Sequence, residues 1–153
     1  MTNEKLINIG MALANLGGLK GVKFSYGVAK NINIINQEIE TFKKAIEPTE
    51  TFTAFENERI ELCKKHAKKD ENNEPILIEN NYDIVDEVAF NKELDTLKEK
   101  HKKALDEREQ QLKDYSNLLK EETTVTLHKI KLADIPEEIT VAQLESIYEI
   151  IEE

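Results

Sequence analysis

Four of the five glycines fall in one stretch, GGLKGVKFSYGVAKN, spanning Gly17 to Asn31, where they alternate with Lys20, Lys23 and Lys30. Glycine and lysine in this mixture are the raw material of a phosphate cradle. A nucleotide-hydrolysing loop, however, needs Gly, four residues, then Gly-Lys-Ser or Gly-Lys-Thr, so that backbone amides wrap the phosphates while the lysine and hydroxyl reach oxygen and metal. Here Gly21 is followed by Val22-Lys23, and Ser25 comes too late. The dinucleotide pattern G-x-G-x-x-G and its preceding hydrophobic strand are also missing. What remains is a simpler anion site. Gly21, Lys23, Ser25, Tyr26, Lys30 and Asn31 lie at or just before the start of a helix expected near Ser25, where amide donors and the helix dipole attract negative charge. Tyrosine can stack on a base and lysine can meet a phosphate. The alternative is a tight turn, with Phe24 and Tyr26 in the core and the lysines solvated.

The other reactive residues do not assemble by spacing. His66, His101 and His128 lack a second ligand three or four positions away, so no metal site is expected. Cys63 is the only cysteine; it excludes an internal disulfide and reads as a small core residue of an amphipathic helix. The run Asp70 to Glu74 lacks the central glycine and closing glutamate of a calcium loop and reads as a solvated turn. No residue is nominated as a catalyst, no cofactor is implied, and the expectation is a non-enzyme.

Charge limits the partners. The net charge of -10 argues against general nucleic-acid binding. Residues 1–35 carry four lysines against Glu4 alone, or +3, which leaves -13 for the rest. A small basic region therefore sits on an acidic chain. No apolar leader and no run of about 20 apolar residues is seen, which points to a reducing cytoplasm and no membrane partner.

The elements that must position these residues are mostly helices. Leu6, Ile9, Leu13 and Leu16 mark a first helix over 3–16, ended by Gly17 and Gly18 as a left-handed cap. Val28, Ile32, Ile35, Ile39, Phe42 and Ile46 form a heptad-like seam interrupted by Pro48. A third helix restarts near Thr49, with Phe52, Phe55 and Leu62 inward. Ile76–Glu79 and Tyr82–Val85 predict a hairpin turning at Asn80-Asn81. From about Asp86 to Glu122 no glycine or proline occurs, and one helix of roughly 54 Å is expected. Such a helix outreaches a compact domain of this length, about 40 Å across, so it is read as a projecting arm or an oligomerisation element, with Leu94, Leu97, His101, Arg108, Leu112 and Tyr115 at the interface. TTVTLHKIKL predicts a strand with a bulge at His128-Lys129. A last helix starts at a Thr140–Gln143 capping box, with Val141, Leu144, Ile147, Tyr148 and Ile151 on its apolar face. No internal repeat is apparent. The reading is a single α+β domain, mainly α-helical, with long antiparallel or coiled-coil-like helices, a small hairpin and one further strand.

The blocks KFSYGVAKNINIINQEIE, KKDENNEPILIENNYDI and LLKEETTVTLHKIKLADIPEEITVAQLESIYEIIEE, which span most of the chain, resemble a family of small proteins of unassigned function from tailed bacteriophages. The stretch from Thr96 to Asn117 is long for that family. The resemblance implies a phage product made in the host bacterial cytoplasm. Two functions fit. One is a non-catalytic binding protein that acts on a host factor such as an antiviral defence component, by covering a protein or by sequestering an anionic signalling nucleotide. The other is a virion structural or head/tail assembly protein that self-associates through its long helix.

Overall fold

The computed structural model describes residues 1–152. The fold is mainly α with a little β: among the described residues there are six α-helices, one antiparallel strand pair and one parallel pair. The chain forms two compact units. Met1–Ile46 and Lys113–Glu153 make the first, and Glu47–Leu112 the second.

In the first unit, α1 (Asn3–Ala14) starts at Thr2, whose hydroxyl accepts the Lys5 N–H at 3.3 Å. Leu6, Ile9, Leu13 and Leu16 are buried, as their spacing predicts. The left-handed cap is not formed: the helix ends at Asn15 with ordinary right-handed dihedrals, and the glycine that takes positive φ is Gly21, at 138°. Gly21 turns the chain into α2 (Val22–Ile46), which therefore begins earlier than the seam alone indicates. Alternate seam positions Val28, Ile35 and Phe42 are buried, while Ile32, Ile39 and Ile46 are half-buried. α1 and α2 approach closely because Gly10 has no side chain; a Cβ there would stand 2.7 Å from Cγ2 of Ile35.

The rest of this unit closes over α1 and α2. Asn3, itself buried, donates to the Leu118 carbonyl at 2.8 Å, and its N–H reaches the Glu121 carbonyl at 3.0 Å. The segment read as a long strand pairs only at β3 (Ile130–Lys131), parallel to β4 (Ile151–Glu152). No strand faces His128, so no bulge forms there; Asn31 supplies the backbone partners instead. The capping box at Thr140 is present, but α6 is a short helix, Val141–Ser146. A 3₁₀ turn over Tyr148–Ile150 follows, and its three-residue period puts Ile147 and Ile150 inward. Val141 and Tyr148, expected on the apolar face, are exposed.

In the second unit, α3 (Glu50–His66) is capped by the Thr49 hydroxyl, which accepts the Phe52 N–H at 3.2 Å. The hairpin is present with a two-residue turn as expected, but the turn lies one residue earlier and the strands are shorter. β1 (Leu77–Ile78) pairs with β2 (Asn81–Tyr82), and the turn is Glu79-Asn80, with φ of 48° and 68°. Two positive φ values at a two-residue loop match the twist of paired strands. The hairpin rests on the chain leaving α3: Lys68 N–H donates to Asp83 O at 2.7 Å and Ile76 N–H to Lys68 O at 2.7 Å. The expected single helix over 86–122 is two helices, α4 (Glu87–Lys100) and α5 (Lys102–Lys120), with a break at His101 (φ -106°, ψ 19°). α4 is not bare. It runs antiparallel to α3, since Lys65 meets Glu93 and Lys100 meets Glu58, and Arg108 of α5 continues the line at Phe52. Among the described residues, no helix is long and apolar enough to cross a membrane.

Candidate functional site

A groove of about 430 Å³ in the first unit gathers part of the basic segment. Lys23 and Tyr26 stand one turn apart on α2, and Lys30 follows one turn later, its Nζ 6.0 Å from the centre of the Tyr26 ring. The Tyr26 ring is 63% exposed and meets the His128 ring edge-on, with centroids 6.1 Å apart. His128 is held there by two devices. Gly27 lets the chain cross α2, since a Cβ would lie 2.8 Å from Ile130 Cγ1. Asn31 then fixes the height: its Oδ1 accepts the His128 N–H at 2.7 Å and its Nδ2 donates to the His128 carbonyl at 2.9 Å.

Lys129 and Lys131 line the same groove, together with the carboxylates Asp134 and Glu152. Lys23 is paired with Asp134 at 3.4 Å, and Lys129 donates to the Glu149 carbonyl at 2.6 Å. Of the five residues nominated as an anion site, Lys23 and Tyr26 border the groove and Lys30 sits over Tyr26. Asn31 faces inward, fully buried, with its amide engaged by His128. Ser25 is exposed, but its N–H is taken by the Gly21 carbonyl at 2.8 Å, because the helix starts before it. Sequence reading did not include His128, Lys129 and Lys131; their alternation with apolar Leu127 and Ile130 is the signal that a basic strip lies beside a buried one.

The second unit holds a different site. Lys65 and His66 at the end of α3 close on Glu93 of α4: Lys65 Nζ donates to Glu93 at 2.6 and 2.9 Å, and His66 Nε2 lies 3.2 Å from Glu93 Oε1. Lys100 and His101 at the end of α4 close likewise on Glu58 of α3, at 2.7 and 2.9 Å for the lysine and 3.1 Å for His101 Nε2. The two clamps differ in one respect. His101 is hydrogen-bonded to Glu58, whereas His66 Nε2 is buried and close to Glu93 without making a hydrogen bond. Each imidazole also meets a phenyl ring edge-on: Phe55 against His101 at 5.7 Å, and Phe90 against His66 at 5.8 Å. The hydrogen bond from Lys100 is the main cause holding the Glu58 carboxyl below its ordinary range, with His101 adding to it and partial desolvation opposing. Lys65 and His66 act in the same way on Glu93.

This symmetry is written in the chain. Phe-x2-Glu-x3-Leu-x2-Lys-His occurs as Phe55, Glu58, Leu62, Lys65, His66 and recurs 35 positions later as Phe90, Glu93, Leu97, Lys100, His101. An internal repeat therefore exists where none was apparent. It is masked because the intervening residues differ, as in Arg59 against Leu94 and Cys63 against Lys98. Leu62 and Leu97 floor a groove of about 630 Å³ bordered by both clamps.

The expected interface residues divide. Leu94 is half-buried, Leu97 lies in this groove, and His101 is turned to Phe55 and Glu58. Arg108 places its guanidinium carbon 5.4 Å from the Phe52 ring centre and donates to Gln111 at 2.6 Å. Leu112 is exposed, and Tyr115, half-buried, belongs to the first unit. Among the described residues, no group of three or more His, Cys, Asp or Glu is placed to hold a metal ion, and Cys63 is buried.

No family model matches the chain, and no curated protein or solved structure is significantly similar to it.

Proposed function

We propose that this chain is a non-catalytic binding protein that takes a small anionic aromatic ligand, a nucleotide, into the groove at Lys23, Tyr26, His128 and Lys131. The observation that carries this reading is the exposed Tyr26 ring, edge-on to His128 and under the Lys30 ammonium, at the rim of a groove lined by Lys23, Lys129 and Lys131. An exposed aromatic face beside lysines suits a base and its phosphates. Asp134 and Glu152, which line the same groove, offset part of the positive charge and supply acceptors for the amino groups of a base. In the setting that the phage resemblance implies, the ligand is a host signalling nucleotide and the protein sequesters it in the bacterial cytoplasm.

Thermal shift against a panel of cyclic and linear nucleotides tests this. A ligand at 100 times its dissociation constant stabilises by roughly 2.7 kcal/mol, or about 5–11 °C for a chain of this size. Tyr26→Ala and Lys23→Ala should abolish the shift, and Lys64→Ala, in the other unit, should leave it. No shift with any nucleotide at millimolar concentration would overturn the proposal. A second reading, self-association in an assembly role, is favoured by the open Leu62–Leu97 groove.

A further inference from the structure

We infer that the α3–α4 face is the docking surface for a second copy of this chain, joined through a two-fold axis lying in the plane of the face. This stands on a different unit from the nucleotide groove and does not depend on it.

The first observation is a deficit of core. In Glu47–Leu112 the buried apolar side chains are Phe55, Cys63, Ala67 and Ala104, none of them fully enclosed, and α4 contributes none. Leu62 and Leu97 are left half-buried on the floor of an open groove. With α3, α4, the start of α5 and a small hairpin in this unit, the strip at Leu62 and Leu97 is still left open for something to complete.

The second observation identifies what completes it. The repeat makes the face a four-cornered charge pattern. Glu58 and Lys65 lie on α3, about 10 Å apart at seven residues of helix rise; Glu93 and Lys100 lie on antiparallel α4 at the same spacing. Each end of the face carries one lysine beside one glutamate, and like charges occupy the diagonals. Turning a second copy face-to-face about an axis parallel or perpendicular to the helices puts lysine over glutamate at all four corners. A two-fold interface must be self-complementary, and this face is so by its own repeat, whereas an unrelated partner would need to reproduce the alternation. The two leucines of each copy meet at the centre, as in the core of a bundle built from two helical hairpins.

The size sets the strength. A 17-residue α3 is about 25 Å long, and two helices side by side present a width of about 20 Å. Each partner then covers about 500 Å² and the pair about 1,000 Å², the lower bound for a specific interface. The dimer is therefore concentration-dependent and not obligate.

Light scattering on the full chain over a dilution series from micromolar to millimolar tests this. The mass should rise toward twice the 17.6 kDa of one chain. Lys65→Glu with Lys100→Glu makes all four corners acidic, and Glu58→Lys with Glu93→Lys makes all four basic. Each variant alone should lose more than tenfold in self-affinity, since like charges then face each other, and an equimolar mixture should dimerise again. Both variants also break internal clamps, so helix content is checked by circular dichroism. Leu97→Lys leaves the clamps intact and should likewise give monomers. A wild-type chain that stays monomeric throughout overturns the inference and leaves a foreign protein as the occupant. Folded charge variants that fail to recombine, or a dimer indifferent to Leu97→Lys, overturn it as well.

Discussion

Replacing Asn31 by alanine removes the bracket that holds the 123–131 segment against α2. Asn31 is fully buried, and its amide makes two bonds to one residue, accepting from His128 N at 2.7 Å and donating to His128 O at 2.9 Å. A typical intramolecular hydrogen bond contributes about 1 kcal/mol, and a buried group left without its partner costs about 1–3 kcal/mol. His128 is only half-buried, so water recovers part of that loss. The expected cost is about 2–4 kcal/mol, read from urea unfolding followed by circular dichroism. Asn31→Asp sharpens the test because it keeps the shape and the acceptor but loses the donor. Burial raises the folded pKa of the new carboxyl above its unfolded value. The neutral form is then favoured, so this variant should lie closest to wild type at low pH and lose ground as pH rises through the unfolded value. Asn31→Ala costing less than about 0.5 kcal/mol, or Asn31→Asp matching wild type at neutral pH, would refute the reasoning that these are buried, working bonds.

Two further outcomes follow from geometry. Gly10→Ala and Gly27→Ala put a Cβ 2.7 Å from Ile35 Cγ2 and 2.8 Å from Ile130 Cγ1. Both isoleucines are buried, so overpacking of about 1–3 kcal/mol outweighs the roughly 1 kcal/mol that alanine gains over glycine in a helix. Both variants should be less stable in denaturant, whereas Gly18→Ala, which meets no atom within 4 Å, should change stability little. On acidification, Glu58 and Glu93 have folded pKa values below the ordinary 4.5. Their contribution is complete above that value and is lost as pH falls through the folded pKa. The melting temperature of Glu58→Gln with Glu93→Gln should decline less between neutral pH and pH 3 than that of wild type, and equal declines would contradict the clamps.

Much of the helical fold is legible because it is locally encoded. Thr49 and Thr140 cap as their positions predict, and the 3-4 spacing of Leu6, Ile9 and Leu13 marks a face that is buried. The misreadings arise where tertiary contacts decide. The break at His101 has no glycine or proline to announce it; it falls where the imidazole turns to Glu58 and Phe55 on another helix. Tyr148 fits a helical face only if the helix continues, and the 3₁₀ turn changes the period. Of the candidate site, Lys23, Tyr26 and Lys30 could be read locally, since all three lie on one helix. His128 and Lys131 are about a hundred residues away, and their place beside Tyr26 depends on a missing side chain at Gly27 and on the amide of Asn31.

The bond from Gln111 Nε2 to the Glu47 carbonyl, at 2.9 Å, joins the first and last turns of the contiguous second unit. The first unit is built from two separated segments, and closing a flexible loop as long as the 66 residues 47–112 between them would cost about 3.7 kcal/mol in chain entropy. Once Glu47–Leu112 has folded, its ends already lie together. The expected order of assembly follows, with the inserted segment closing first; pulse-labelling hydrogen exchange should show protection within 47–112 before protection in α1 and α2, and the reverse order would contradict it.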